Sequence, residues 1–79
     1  MKVHLLYFAS LRDRAGCAEE SIETGVSTAG DLYVDIAKRH GFSFAPERLR
    51  VAVNGALVPW SHAIADGDEV VFLPPVSGG

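Results

Sequence analysis

The chain has 79 residues, enough for one domain and no more. Its 7 Lys and Arg against 10 Asp and Glu give a formal charge of −3, which argues against nucleic acid as a main partner, since phosphate contacts need a basic surface. The single cysteine, Cys17, excludes an intrachain disulfide, and with 48% apolar residues a core is expected to form without one. No charged-then-apolar leader opens the sequence and no apolar run approaches the roughly 20 residues of a membrane span, so a cytoplasmic protein without membrane contact is expected.

Lys2 to Phe8 reads as a strand, with Val3, Leu5 and Tyr7 alternating with Lys2, His4, Leu6 and Phe8. Both of its faces turn apolar toward the end, which suits a central strand with one face on the core and the other covered by a partner. Leu11 to Gly16 interrupts it and reads as a turn or loop. Glu19 to Glu23 is a second, polar strand of the kind that belongs on a sheet edge. These two strands form an expected N-terminal hairpin.

The clearest helix follows. Thr28 is placed to cap it, with Asp31 three residues on. Leu32 and Ile36, with Ala29 and Tyr33, make one apolar stripe. Lys38, Arg39 and His40 sit in the last turn, where cations suit the negative end of the helix dipole, and Gly41 is placed for the left-handed cap. Phe42 to Pro46 reads as a loop whose two aromatics pack beneath it. Leu49 to Val53 is a strong strand, Asn54-Gly55 a tight turn and Ala56 to Val58 a short return. Pro59 to Ala65 is irregular, Asp66-Gly67-Asp68 is a turn, and Glu69 to Leu73 is the last strand. Pro74-Pro75 then ends any ladder, because proline has no N–H to donate. The expected order is β-β-α-β-β-β, an α+β domain over residues 1–74 with a flexible tail at 75–79.

Two terminal glycines alone are an ordinary frayed ending. After a compact domain and a double proline, Val76-Ser77-Gly78-Gly79 becomes a narrow arm that carries the terminal carboxylate away from the fold. Two residues without Cβ let such an arm thread a tight channel and approach a nucleotide closely. An α-carboxyl has an unperturbed pKa of roughly 3.3–3.7, so it is ionised at neutral pH. It is then able to attack the α-phosphorus of ATP in another enzyme's site, and the acyl-adenylate formed is a good donor to sulfur or nitrogen.

These features resemble the ubiquitin-like β-grasp family, and within it the small, sulfur-carrying subunits of molybdopterin synthase (the MoaD/ThiS type). The resemblance runs along almost the whole chain. It is carried by Leu6-Tyr7-Phe8-Ala9 with Leu11-Arg12, by Val51-Ala52-Val53-Asn54, and above all by Asp66-Gly67-Asp68-Glu69-Val70 with Phe72-Leu73-Pro74-Pro75-Val76-Ser77-Gly78-Gly79. It implies a mixed sheet of about four to five strands with one main helix packed across it. It implies that a MoeB-like adenylyltransferase, similar to ubiquitin-activating enzymes, adenylates the Gly79 carboxylate with ATP. A sulfur donor enzyme would then give a thiocarboxylate. Pro75, Val76, Ser77 and Gly78 would thread the active site of a MoaE-like large subunit, where the sulfur passes to a cyclic pterin precursor to build the molybdopterin dithiolene. Side chains for substrate binding and proton transfer would belong mostly to that large subunit. No cofactor of the chain's own is implied.

The resemblance also implies docking through an apolar sheet face near the tail, where Phe8, Leu57 and Leu73 match by position. Close relatives commonly carry an aromatic residue at position 73, so the Leu here keeps the apolar character and loses the ring. Ordinary core packing is the competing role for Phe8 and Leu73. Cys17 has acidic Glu19 and Glu20 as near to it as Arg12 and Arg14, and an inert thiol is expected. His4, His40 and His62 lack metal-ligand spacing, Asp66 and Asp68 are a turn signature, and no metal site is expected. A thiamine-pathway sulfur carrier, a protein modifier joined to lysines through Gly79, and an interaction domain with an idle tail remain open alternatives.

Overall fold

The computed structural model describes residues 1–74. The expectations at Pro75, Val76, Ser77, Gly78 and Gly79, with the flexible tail they make up, lie outside the described residues.

The elements are β1 (Lys2–Tyr7), α1 (Ala9–Ala15), β2 (Glu19–Glu23), α2 (Ala29–His40), a 3₁₀ turn (Pro46–Arg48), β3 (Arg50–Val53), β4 (Ala56–Val58) and β5 (Glu69–Leu73). The strands form one sheet in the order β2-β1-β5-β3-β4. Strands β1 and β5 run parallel at its centre, and every other neighbouring pair is antiparallel. A mixed five-stranded sheet with α2 across one face is the ubiquitin-like β-grasp arrangement expected above.

Alternation along the strands puts one set of residues under the helix. Val3, Leu5, Tyr7, Ile22, Val51, Val53, Val70 and Phe72 join Ala29, Leu32, Tyr33 and Ile36 of α2 in a single buried cluster. Each large member contributes about 1.5–3 kcal/mol by leaving water. The helix is delimited as its sequence indicates. Thr28 Oγ1 accepts from the Asp31 N–H at 3.2 Å, and the Gly41 N–H, in a left-handed cap at φ 71°, donates to Ala37 O. Phe42 and Phe44 pack against the core from the following loop, and the Tyr33 hydroxyl donates to Phe44 O at 2.6 Å. The Asn54-Gly55 turn takes φ values of 52° and 87°, the left-handed pair a two-residue hairpin turn requires.

One expectation is overturned. Leu11 to Gly16 is not a loop: residues Ala9 to Ala15 form α1, so the connection between β1 and β2 contains a helix. No side chain caps its start, and Leu11 is its one buried residue, 1% exposed. A helix with one buried residue has no apolar periodicity to read. Tertiary burial of Leu11 and the left-handed Gly16 at its end (φ 78°) hold it instead. The first strand accordingly ends at Tyr7, and Phe8 becomes the residue before the helix.

Candidate functional site

The sheet has a second face, which α2 leaves uncovered. The ladders align one residue of each strand across it. Leu6 of β1 stands opposite Val71 of β5, Val71 opposite Ala52 of β3, and Ala52 opposite Leu57 of β4. Leu6, Ala52 and Val71 are half-buried, and Leu57 is 61% exposed. This is an apolar row across four strands with no helix over it. Solvent-facing strand positions are ordinarily polar, so a continuous apolar row of this kind is a feature that core packing does not explain.

The row continues toward the end of β5. Tyr7 pairs with Phe72, so Phe8 and Leu73 follow one residue further along the two central strands. Phe8 keeps an extended backbone (φ −127°, ψ 153°) and is 48% exposed, so it is not a core residue. Leu73 is half-buried and ends β5 immediately before Pro74. The three residues expected to dock, Phe8, Leu57 and Leu73, therefore share the face outside the core, with Leu57 on the edge strand and the other two at the ends of the paired central strands. Sequence reading did not single out Leu6, Ala52 and Val71, which complete the row. The doubly apolar end of β1 signalled Leu6, but Ala52 and Val71 look like any other residue of a buried strand until the register is known.

The other end of this face is polar. His4 Nδ1 lies 2.9 Å from Ser21 Oγ, and His4 Nε2 lies 3.2 Å from Glu19 Oε1. These three follow one another as in a nucleophile-base-acid series, but they stand on an open strand surface and line neither groove found among the described residues. The arrangement ties His4 of β1 to Ser21 and Glu19 of the edge strand β2.

Beneath the sheet, the Tyr7 hydroxyl donates to Glu20 Oε2 at 2.7 Å, and His40 Nε2 contacts the same oxygen. His40 thus ends α2 as expected but faces a carboxylate as well as the helix dipole. Burial raises the Glu20 carboxyl, but hydrogen bonds from Tyr7 and His40 outweigh it and leave the group below its usual range. Burial, then the bond to Glu20, pushes the Tyr7 phenol well above its ordinary value. Burial and the neighbouring Glu20 also push the Cys17 thiol up, which suppresses the thiolate. In the Asp66-Gly67-Asp68 turn, Asp66 Oδ1 accepts from the Lys2 N–H, while Asp68 accepts from the Ala65 N–H and the Asn54 amide, which hold its carboxyl below the usual range. These carboxylates are turn ligands. No group of three potential metal ligands occurs among the described residues, and none of their helices is long and apolar enough to cross a membrane.

Comparison with known proteins places this geometry. The sequence model of the ThiS family matches residues 5–79. The molybdopterin synthase sulfur carrier subunit of Escherichia coli (strain K12) is 34% identical over 80 residues, covering 98% of this chain and 99% of the relative. Among solved structures, SAMP1 (small archaeal modifier protein 1) from Haloferax volcanii superposes with a TM-score of 0.83 at 27% identity, covering 100% of both chains. A chain of the BexX/CysO complex from Amycolatopsis orientalis gives a TM-score of 0.71 at 27% identity, covering 98% of this chain and 99% of its own. With a family match from the middle of β1 onward and a full-length relative above 30% identity, this chain belongs to the MoaD/ThiS family of ubiquitin-like β-grasp proteins.

Proposed function

We propose that this protein is the sulfur-carrying small subunit of a molybdopterin synthase. The Gly79 carboxylate attacks the α-phosphorus of ATP bound in a MoeB-like adenylyltransferase, and pyrophosphate leaves. Hydrosulfide supplied by a donor enzyme attacks the acyl carbon, AMP leaves, and a terminal thiocarboxylate remains. The tail, Pro75 to Gly79, then enters a MoaE-like large subunit, where the sulfur is delivered to a cyclic pterin precursor. The carrier contributes the reactive terminus and the surface that docks it, and the partners contribute the catalytic side chains.

The observation that carries this reading is the uncovered apolar row Leu6-Val71-Ala52-Leu57, which continues through Phe8 and Leu73 to the root of a Gly-Gly tail. A surface of that kind beside a threading arm suits a protein handed from one enzyme to another. The name of the Escherichia coli relative favours molybdopterin over the thiamine pathway. A second reading, attachment of Gly79 to lysines as a modifier, draws on the likeness to SAMP1. Both use the same adenylate and diverge at its capture.

Intact mass spectrometry tests the proposal. The protein is incubated with ATP, a MoeB-like enzyme and a sulfur source, beside a variant lacking Gly79. The expected result is a gain equal to the difference between sulfur and oxygen, mapped to the C-terminal peptide and absent from the variant. Conjugates to lysine in place of the thiocarboxylate would favour the modifier reading. No change in the presence of a competent enzyme would rule out both.

A further inference from the structure

Arg50 begins β3 and pairs directly with Leu73, the last residue of β5. Strand alternation puts it on the uncovered face with Ala52, one step nearer the tail. Its side chain is exposed, and among the described residues it forms no ion pair. By contrast, His4 and Glu19 on the same face pair with each other. Beside Arg50 runs a shallow groove of about 200 Å³ whose walls include Leu57, Val58, Pro59 and Trp60. A guanidinium with an apolar wall beside it is a recognition element for a carboxylate carried next to apolar atoms.

We propose that Arg50 and this groove anchor an acidic side chain of the protein that takes up the tail, and that this contact helps select the partner. The inference rests on the carrier reading above and names the large synthase subunit as the occupant. Two observations on position support it. Leu57 belongs both to the apolar row and to the lining of the groove, so a partner covering the row reaches the rim of the groove beside Arg50. The five residues from Pro75 to Gly79 span at most about 17 Å, so a protein holding Gly79 has its own surface close to Leu73 and the Arg50 opposite. Charge complementarity then fixes the chemistry of the contact: a cation at the tail root calls for Asp or Glu at the mouth of the channel that receives the tail.

Association of the large subunit with the wild-type carrier, Arg50→Gln and Arg50→Glu, followed by stopped-flow over a series of salt concentrations, is the test. The Gln variant keeps side-chain length and hydrogen bonding, and so separates charge from packing. Thermal midpoints of both variants are expected to match wild type, because the side chain is exposed. Association is expected to slow about threefold for Gln and on the order of tenfold for Glu at low salt, with the salt dependence flattened for Gln. Wild-type binding with both variants at wild-type rates would overturn the inference and leave the carrier reading standing. A wild-type protein that fails to bind a competent large subunit would overturn both.

Discussion

Leu6 and Val71 stand opposite each other across the parallel ladder of β1 and β5, at the centre of the sheet and on the face that α2 does not cover. Their neighbours in each strand point the other way: Leu5 and Val70 are both 0% exposed beneath the helix. Two adjacent residues of one strand thus serve different ends. A carboxylate at position 70 would be desolvated among apolar side chains, whereas at position 71 it would keep contact with water. Val71→Asp is therefore expected to remain folded, losing about 1 kcal/mol, and to weaken the proposed complex with a large subunit by more than about tenfold. Val70→Asp is expected not to fold. Thermal melts beside a binding titration check both, and equal effects at the two positions would remove the distinction between core and docking face.

Glu20 links β2 to the end of α2 and to Tyr7 of β1. Its folded-state carboxyl titrates below the unfolded one, so its contribution is complete above the ordinary carboxylate range and is lost as pH falls through that range and below it. The protein is expected to lose stability on acidification from about pH 5 downward, and Glu20→Gln to show a shallower loss over the same interval. Tyr7→Phe, which removes a hydrogen bond to a charged group, is expected to cost about 1.5–3 kcal/mol at neutral pH. Urea midpoints across pH 3 to 7 measure all three, and parallel acid profiles for wild type and Glu20→Gln would count against the assignment.

Ala9 opens α1 with φ 50°, a conformation that its Cβ disfavours. It lies between exposed Phe8 and buried Leu11, and the short helix around it has no side-chain cap. Ala9→Gly is expected to stabilise the protein by up to about 1 kcal/mol, since relief of the left-handed strain exceeds the added freedom of the unfolded chain. A chemical denaturation midpoint lowered by the substitution would contradict this account of the turn.

Thr28 caps α2 through its hydroxyl, and its backbone bridges to Ala63. Thr28→Ala is expected to cost about 1 kcal/mol, and Thr28→Ser to be close to neutral, because serine presents the same acceptor. A Ser variant as destabilised as the Ala variant would assign the effect to packing of the methyl group.

Much of this molecule is legible along the chain. The helix from Ala29 to His40 announces its cap at Thr28, its stripe at Leu32 and Ile36 and its stop at Gly41, because each signal lies within a turn or two of the residues it governs. The Asn54-Gly55 hairpin and the polar edge strand Glu19–Glu23 are local in the same sense. Helix α1 is not, since its stability comes from Leu11 entering a core built by residues far along the chain. The uncovered apolar row is legible only in part. Phe8, Leu57 and Leu73 are singled out through the family resemblance, whereas Ala52 and Val71 need the strand order.

By itself the sequence determined the strands and the main helix, through patterning and caps whose partners are near neighbours, and the proposed chemistry of the C-terminus rests on the residue types of Pro74 to Gly79. The tertiary structure decided how the strands line up, and so which residues form one continuous row on the face that the helix leaves uncovered. That arrangement depends on the pairing of β1 with β5, between residues 65 positions apart, and of β5 with β3, between residues 17 to 23 positions apart. A one-residue change of register would exchange the two faces; Lys2 and His4 of β1 and Glu69 of β5 oppose it locally, but the apolar ends of these strands do not. Burial of Leu5, Val51, Val70 and Phe72 beneath α2 selects the register, and the row from Leu6 to Leu57 is what that selection leaves facing outward.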